Sequence, residues 1–143
     1  MSKWLTVLLA LCLVAPVTAG QFKTIKNIEV HYSAFNTTFL TPKVARQYDL
    51  TRNGYSALLN ISVLDDSKIG KPAITAKLKG HAKNLLGQIR ELTFREVKEG
   101  TAIYYLAEIP ITHEEIITFT VDVDSGLSGK GQLRFTQKFY VEE

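Results

Sequence analysis

The chain has almost none of the residue types that carry thiol or soft-metal chemistry. Its single cysteine, methionine and tryptophan are Cys12, Met1 and Trp4, all close to the N-terminus. The rest of the chain therefore has no disulfide framework, no cysteine nucleophile and no thiolate metal site. It also lacks a thioether, and because Cu(I) prefers soft sulfur ligands, the composition disfavours copper handling.

An excess of charge of one sign is also missing. Lysine and arginine number 17 against 14 acidic residues, a formal net charge of +3. So small an excess, with no aromatic residues interleaved among the cations, gives no reason to expect a nucleic-acid partner.

Long hydrophobic runs are scarce as well. The apolar run from Trp4 to Val14 is shorter than the roughly 20 residues of a membrane helix, so we expect no stable membrane span.

That apolar run is instead typical of an export signal. Lys3 precedes it, and Pro16 and Ala19 follow, which is the order of a charged start, an apolar centre and a small-residue exit. We therefore predict a cleaved signal peptide over 1–19 and a single domain over 20–143. A secreted animal domain of this size would more often carry cysteines, so we expect the bacterial periplasm.

Along the remaining chain the dominant hydrophobic period is two, which predicts half-buried antiparallel strands. In the segment 88–97 the apolar residues switch once between odd and even positions, near residue 92, which suggests a bulge in that strand. Turn residues separate the segments. The seven predicted strands cover residues 28–34, 55–63, 74–79, 88–97, 101–109, 117–123 and 133–141.

One helical signal follows the first strand. Thr41 suits an N-cap, Pro42 suits the first helical position, and residues 43–48 can form the helix. Seven short strands with regular turns and one short helix predict an all-β, seven-stranded antiparallel sandwich of immunoglobulin-like type. A small closed β-barrel is the alternative.

The most unusual segment runs from His31 into this helix. Asn36, Thr37 and Thr38 stand between two phenylalanines, where their side chains could cap backbone groups at a strand-to-helix corner. They could equally line a shallow site. The candidate ligand-binding residues are His31, Asn36, Thr38, Tyr48 and Arg52. The sequence leaves open whether Phe35 to Pro42 is a site or a structural corner.

Catalytic and metal signatures are weak. His31, His81 and His113 have no short mutual spacing, and Ile117 stands where a zinc-protease motif starting at His113 would need its second histidine. No Gly-x-Ser-x-Gly elbow occurs. We therefore predict no catalytic residue, no metal and no cofactor.

A stripe of cations lies on one strand face. Lys77, Lys79 and Lys83 share one face with His81. The favoured explanation is protection of an exposed sheet edge against pairing. The alternative is an anionic partner, such as a membrane headgroup or an envelope polymer.

Several strings in the chain resemble those of a known family. They are His31-Tyr32, the segment from Phe35 to Leu40, Pro42, and Tyr104 to Ala107. The chain resembles small exported proteins of gammaproteobacteria that are catalogued only as a domain of unknown function. The resemblance implies one exported domain and carries no known activity, cofactor or partner.

These observations together predict a periplasmic sandwich that works as a non-catalytic binding or accessory module for envelope proteins. A small-ligand or metal-binding protein is the first alternative, and a small hydrolase is the second.

Overall fold

The computed structural model describes residues 21–141, so the predicted signal peptide lies outside the described residues. This range contains nine strands and one short α-helix, with 3₁₀ turns at Thr37–Phe39 and Gly126–Ser128. In chain order the elements are β1 (Gln21–Ile25), β2 (Ile28–Asn36), α1 (Pro42–Gln47), β3 (Ser56–Asp65), β4 (Lys77–Asn84), β5 (Ile89–Leu92), β6 (Arg95–Glu99), β7 (Ala102–Pro110), β8 (Glu115–Asp124) and β9 (Lys130–Phe139).

The strands form two antiparallel sheets. The first has the order β1-β2-β3-β7-β6 and the second β5-β4-β8-β9. From β2 onward this is the immunoglobulin order, with strands A, B, E and D facing C′, C, F and G, and β1 added at one edge. The predicted all-β, immunoglobulin-like sandwich is confirmed. Both sheets end in open edge strands within the described range, so the closed-barrel alternative is wrong.

The predicted number of strands was too low. β1 escaped prediction because it pairs along one side only and leaves four of its five residues exposed, so no apolar alternation marks it. The segment 88–97 is two strands in different sheets rather than one bulged strand, because the chain crosses the sandwich between Leu92 and Arg95. The third predicted strand begins at Lys77 rather than Ile74. Before that point, the Ile74 N–H still donates to the Val63 carbonyl of the first sheet, at 2.9 Å.

Apolar alternation on the strands creates the core between the sheets. Phe119 of β8 is fully buried and stacks on Phe135 with ring centroids 4.9 Å apart. Phe135 in turn lies 4.4 Å from the ring of Tyr32 on the opposite sheet. Phe139 meets Phe119 edge-on at 6.1 Å. These rings connect β2, β8 and β9.

A second apolar cluster covers part of the outer face of the first sheet. Ala45 of α1 and the following Leu50 are buried there against Leu58 and Leu106. The Thr41 hydroxyl caps α1 by accepting the Val44 N–H at 3.2 Å, as predicted. The helix therefore covers this part of the sheet and shields its apolar side chains from solvent.

The buried Tyr105 ties the crossing segment before β4 to the first sheet. Its hydroxyl accepts the Ala76 N–H and donates to the Glu96 carboxylate, both at 2.9 Å. Burial raises the pKa of Tyr105, so the phenol stays protonated and keeps both hydrogen bonds.

Gly80 permits the close approach of β4 to β8, which gives a test of the packing. A Cβ at this position would lie 2.4 Å from the Thr120 carbonyl oxygen. Because this is a backbone atom, it can move away only if the strand itself shifts. We expect Gly80→Ala to lower the free energy of unfolding by about 1–3 kcal/mol, as overpacking does. Urea denaturation, read at constant m-value, measures the loss.

Gly131→Ala is the matched control within a strand. Its added Cβ would meet the Ile25 side chain, starting at 3.0 Å, so the neighbour can adjust and the loss should be smaller. Equal losses in the two variants would contradict the close-packing explanation.

Candidate binding site at the aromatic end

Three segments of the chain meet at one end of the sandwich. Strand pairing places Asn36 beside Ala57 and Glu115 beside Phe139. The loop 37–55, the β7–β8 turn and the residues after β9 therefore emerge side by side. Three aromatic side chains on them are exposed: Phe39 at 69%, Tyr55 at 56% and Tyr140 at 50%. We call Phe39, Tyr55, His113 and Tyr140 the aromatic end.

Tyr140 is held in the middle of this group. Its carbonyl oxygen accepts a hydrogen bond from the Asn36 amide at 2.6 Å, and its ring meets His113 edge-on at 5.9 Å. The next residue, Val141, donates its N–H to His113 Nδ1 at 3.2 Å. Because Nδ1 accepts, the neutral imidazole carries its proton on Nε2. The exposed His113 therefore offers a hydrogen-bond donor to a partner.

Two concavities lie at the aromatic end. The larger encloses about 610 Å³ between Tyr55, Ile111, Thr112, His113 and Val141. The smaller encloses about 160 Å³, and Asn36, Phe39 and Tyr140 contribute to its wall. Apolar and aromatic walls with a few polar groups are typical of binding sites.

The loop that carries Phe39 and Tyr55 is anchored at its base. Thr37 is fully buried, and its hydroxyl accepts the Asn53 N–H at 2.9 Å and lies 2.9 Å from the Ser56 hydroxyl. The Arg52 guanidinium donates to the Thr38 carbonyl oxygen at 3.0 Å. The segment is thus a structural corner at Thr37 and a surface at its exposed Phe39.

The structure brings three of the five predicted site residues to this end. Asn36 is buried and donates a hydrogen bond to the Tyr140 carbonyl oxygen. At the corner, Arg52 donates a hydrogen bond to the Thr38 carbonyl oxygen. Tyr48 instead joins the cluster beneath α1, on the outer face of the first sheet. His31 lies five residues from Asn36 along β2, and since strand residues alternate, its side chain points to the opposite face. A role for these five residues in binding a ligand remains a prediction.

The Tyr48 environment is structural in character. Its hydroxyl donates to the Glu99 carboxylate, and Arg95 donates to its carbonyl oxygen. The bond to Glu99, followed by burial, raises the pKa of Tyr48 to about 12. The protonated phenol therefore joins the segment after α1 to β6.

His31 belongs to a separate polar cluster around Glu29. Glu29 is 5% exposed and accepts a hydrogen bond from Lys71 Nζ at 2.6 Å, while His31 Nε2 lies 3.0 Å from its other oxygen. Phe22 stacks on the His31 ring at 5.0 Å, and Asp66 lies 3.6 Å from Lys71 Nζ. The cluster ties the loop after β3 to β2.

This cluster makes stability depend on acid pH. The hydrogen bond from Lys71, then that from His31, holds the pKa of Glu29 below its ordinary value of 4.5. The stabilisation is therefore complete above that value and is lost as the pH falls through the lower, folded-state pKa. We expect Glu29→Gln to flatten the pH dependence of the unfolding free energy on the acid side, measured by urea denaturation between neutral and acid pH. The exposed Glu108→Gln should leave the slope unchanged, and equal flattening in both would refute this role.

Sequence reasoning included none of the four residues of the aromatic end among its candidate site residues. It placed Tyr55 on the apolar face of a strand, which is wrong because β3 begins at Ser56 and Tyr55 lies outside the sheet. Tyr140 directly follows Phe139, the last inward-facing residue of β9. Because side chains alternate between the two faces of a strand, the residue after the inward-facing Phe139 faces outward. This alternation was the signal from which an exposed Tyr140 could have been predicted.

Within residues 21–141, no group of three or more histidine, cysteine, aspartate or glutamate side chains is arranged to hold a metal ion. His31 and His81 lie in different sheets, and His113 lies in the turn before β8. No helix of the described range has the length and apolar character to cross a bilayer.

Comparison with protein families gives a match over residues 22–142 to the family described as "Domain of unknown function (DUF4426)". The chain belongs to this family. A DUF4426 family protein from Pseudomonas aeruginosa PAO1 has a similar crystal structure, with 32% identity and a TM-score of 0.75 over 87% of this chain and 97% of that one. The resemblance stated from the sequence is thereby confirmed at the level of the family. A search of curated proteins found no match.

The DUF4426 fold is also similar to that of FetP from uropathogenic Escherichia coli strain F11. One FetP structure, from protein recombinantly expressed in the periplasm, has 14% identity and a TM-score of 0.57 over 87% of this chain and 96% of that one. A copper-bound FetP variant has the same identity and TM-score, over 87% and 97% of the two chains. At this identity the similarity concerns the fold alone.

Proposed function

We propose that this DUF4426 protein acts in the periplasm as a non-catalytic binding or accessory module, and that it holds an envelope protein through its aromatic end. The observation that carries the proposal is the grouping of Phe39, Tyr55 and Tyr140, each at least half exposed, on anchored loops. Export is supported by the charged, apolar and small-residue pattern of residues 1–19.

The chemistry of the aromatic end suits a protein partner. Tyrosine and phenylalanine are enriched at the centres of protein interfaces, where they bury a large area with few rotatable bonds. The hydrogen bonds at Thr37 and Asn36 hold the flanking backbone in place. A pre-ordered loop loses less conformational entropy on binding than a loose one. His113 Nε2–H and the tyrosine hydroxyls add polar contacts at the rim.

Export can be tested separately from binding. We expect the chain expressed from its native start to appear in the periplasmic fraction with Gly20 as its first residue. N-terminal sequencing of the purified protein measures this. A full-length chain retained in the cytoplasm would contradict it.

The partner surface can be mapped by photocrosslinking in intact cells, with benzoylphenylalanine placed at Phe39, Tyr55 or Tyr140. We expect discrete adducts with an envelope protein from these positions. Ile69 and Leu127 are matched controls because they are almost fully exposed, at 105% and 92%, in the loops at the opposite end. The same adducts from the controls, or none from the aromatic end, would refute the proposal.

The affinity for the captured partner should depend on the same side chains. We expect Tyr55→Ser with Tyr140→Ser to weaken binding by about 30-fold or more, as expected for interface hot spots. Surface plasmon resonance with the captured partner measures the loss, and an unchanged urea midpoint shows that the variant is folded. An affinity equal to the unsubstituted chain would exclude this surface.

A second candidate function is small-ligand binding in the larger concavity. Its volume of about 610 Å³ between Tyr55 and His113 falls within the usual range for ligand pockets. A ligand that binds the native state raises the melting temperature. We expect any such ligand to lose its thermal shift in His113→Ala. An unchanged melting temperature across a panel of metals and metabolites would exclude this function.

A further inference from the structure

The stripe of cations on β4 does not lie wholly on a sheet edge. Over Gly80–Lys83, β4 pairs with β5 on one side and with β8 on the other. Lys83 stands between Ile89 and Thr118 in the register. The edge-protection hypothesis is therefore wrong for this part of the stripe, and its charge needs another explanation.

One half of the outer face of the second sheet carries three cations and one carboxylate, Glu91, which lies opposite His81. Lys83, Thr118 and Thr136 form one row across it, and Thr120 and Arg134 belong to the next row with His81. Lys138 follows one row beyond, with its ammonium 5.4 Å from the Tyr140 ring centre. Among the described residues, no ion pair involves Lys83, Arg134 or Lys138.

The other half of the same face carries its lysines beside aspartates. Lys79 lies opposite Asp122, and Asp124 stands between Lys77 and Lys130. Three lysines and two aspartates thus share this half, which we call the mixed-charge half. The half next to the β4–β5 turn, with three cations and one carboxylate, is called the cationic half.

Two leucines protrude beside the cationic half. Leu85 and Leu86 form the tip of the β4–β5 turn and are 77% and 85% exposed, with Ile89 behind them at 57%. The turn is ordered, because Asn84 Oδ1 accepts the Leu86 and Gln88 N–H groups, both at 3.0 Å. These leucines bury little area in the fold, so packing does not explain their apolar side chains.

The leucines line a single open concavity of about 610 Å³ together with Lys83 and Arg134. Its wall includes His81, Lys83, Leu85, Leu86, Thr120 and Arg134. In this concavity the leucine side chains therefore lie next to cationic and hydroxyl side chains.

We propose that this surface docks the domain on an anionic phospholipid bilayer. Leu85 and Leu86 enter the interface, while Lys83, Arg134 and Lys138 meet the lipid phosphates. Membrane binding of a peripheral surface strengthens with the apolar area it buries and with its attraction to anionic lipids, and this surface supplies both. The positive half of the face complements the negative surface of such a membrane. The inference does not depend on the partner bound at the aromatic end.

Vesicle flotation tests the proposal, with the mature chain purified from the periplasm. We expect it to float with equimolar phosphatidylcholine and phosphatidylglycerol, to remain behind with phosphatidylcholine alone, and to detach as salt is raised. Each of Lys83→Gln and Arg134→Gln should lower partitioning about fivefold. Leu85→Ser with Leu86→Ser should lower it at least about tenfold.

The chain offers matched controls for both parts of the surface. Lys77→Gln and Lys130→Gln remove the same charge from the mixed-charge half of the same face, where aspartates lie beside the lysines. Ile69→Ser with Leu127→Ser removes two equally exposed apolar side chains from the opposite end. We expect these variants to float as the unsubstituted chain does, and all variants to keep its urea midpoint.

Three results would overturn the proposal: no flotation with phosphatidylglycerol vesicles, equal flotation with neutral vesicles, or equal losses in the controls. Polyglutamate serves as a soluble acidic competitor. Two results together would show that the surface recognises an acidic protein instead. Polyglutamate would bind with the same dependence on Lys83 and Arg134, and the Leu85→Ser, Leu86→Ser variant would float as well as the unsubstituted chain. Crosslinking at the aromatic end is read separately, so either hypothesis can fail alone.

Discussion

Burial of Phe119 between the two sheets is the interaction on which the rest of the structure depends. Its contacts with Phe135 and Phe139 hold β9 on β8, and the contact of Phe135 with Tyr32 brings β9 against β2. The Gln137 amide then donates to the Ala34 carbonyl oxygen at 2.6 Å across the same junction. Because side chains alternate along β9, this packing also decides that the residue after Phe139 faces outward. The outward position of Tyr140 at the aromatic end is therefore a direct consequence of the register of the core.

The two outer faces of the sandwich have different environments. The helix α1 covers part of the first sheet with an apolar cluster, and the pairing of Glu29 with Lys71 anchors a loop elsewhere on that sheet. The outer face of the second sheet has no such cover among the described residues, and its threonines and cations meet solvent. A polar face needs no cover for stability, so its pattern of charge is free to serve binding.

The two proposed surfaces lie at the same end of the molecule. Asn84, at the base of the leucine turn, donates to Glu115 at 2.9 Å, and Glu115 opens β8 directly after the turn that carries His113. A domain docked through Leu85 and Leu86 would present its aromatic end near the bilayer. An envelope protein anchored in that membrane would then lie within reach, which connects the two hypotheses while leaving each with its own test.

The sequence alone determined the class of fold, most of the strands, the capped helix and the family, because local periodicity and capping chemistry depend on neighbouring residues. It also singled out the segment from Asn36 to Thr38, although not its division into a buried corner at Thr37 and an exposed Phe39. Only the tertiary structure decided that 88–97 is divided between sheets, that Lys83 stands on an interior strand, and that Glu29 meets a lysine 42 residues away. These features arise from pairings between distant parts of the chain, and no local pattern encodes which distant residue will be the partner.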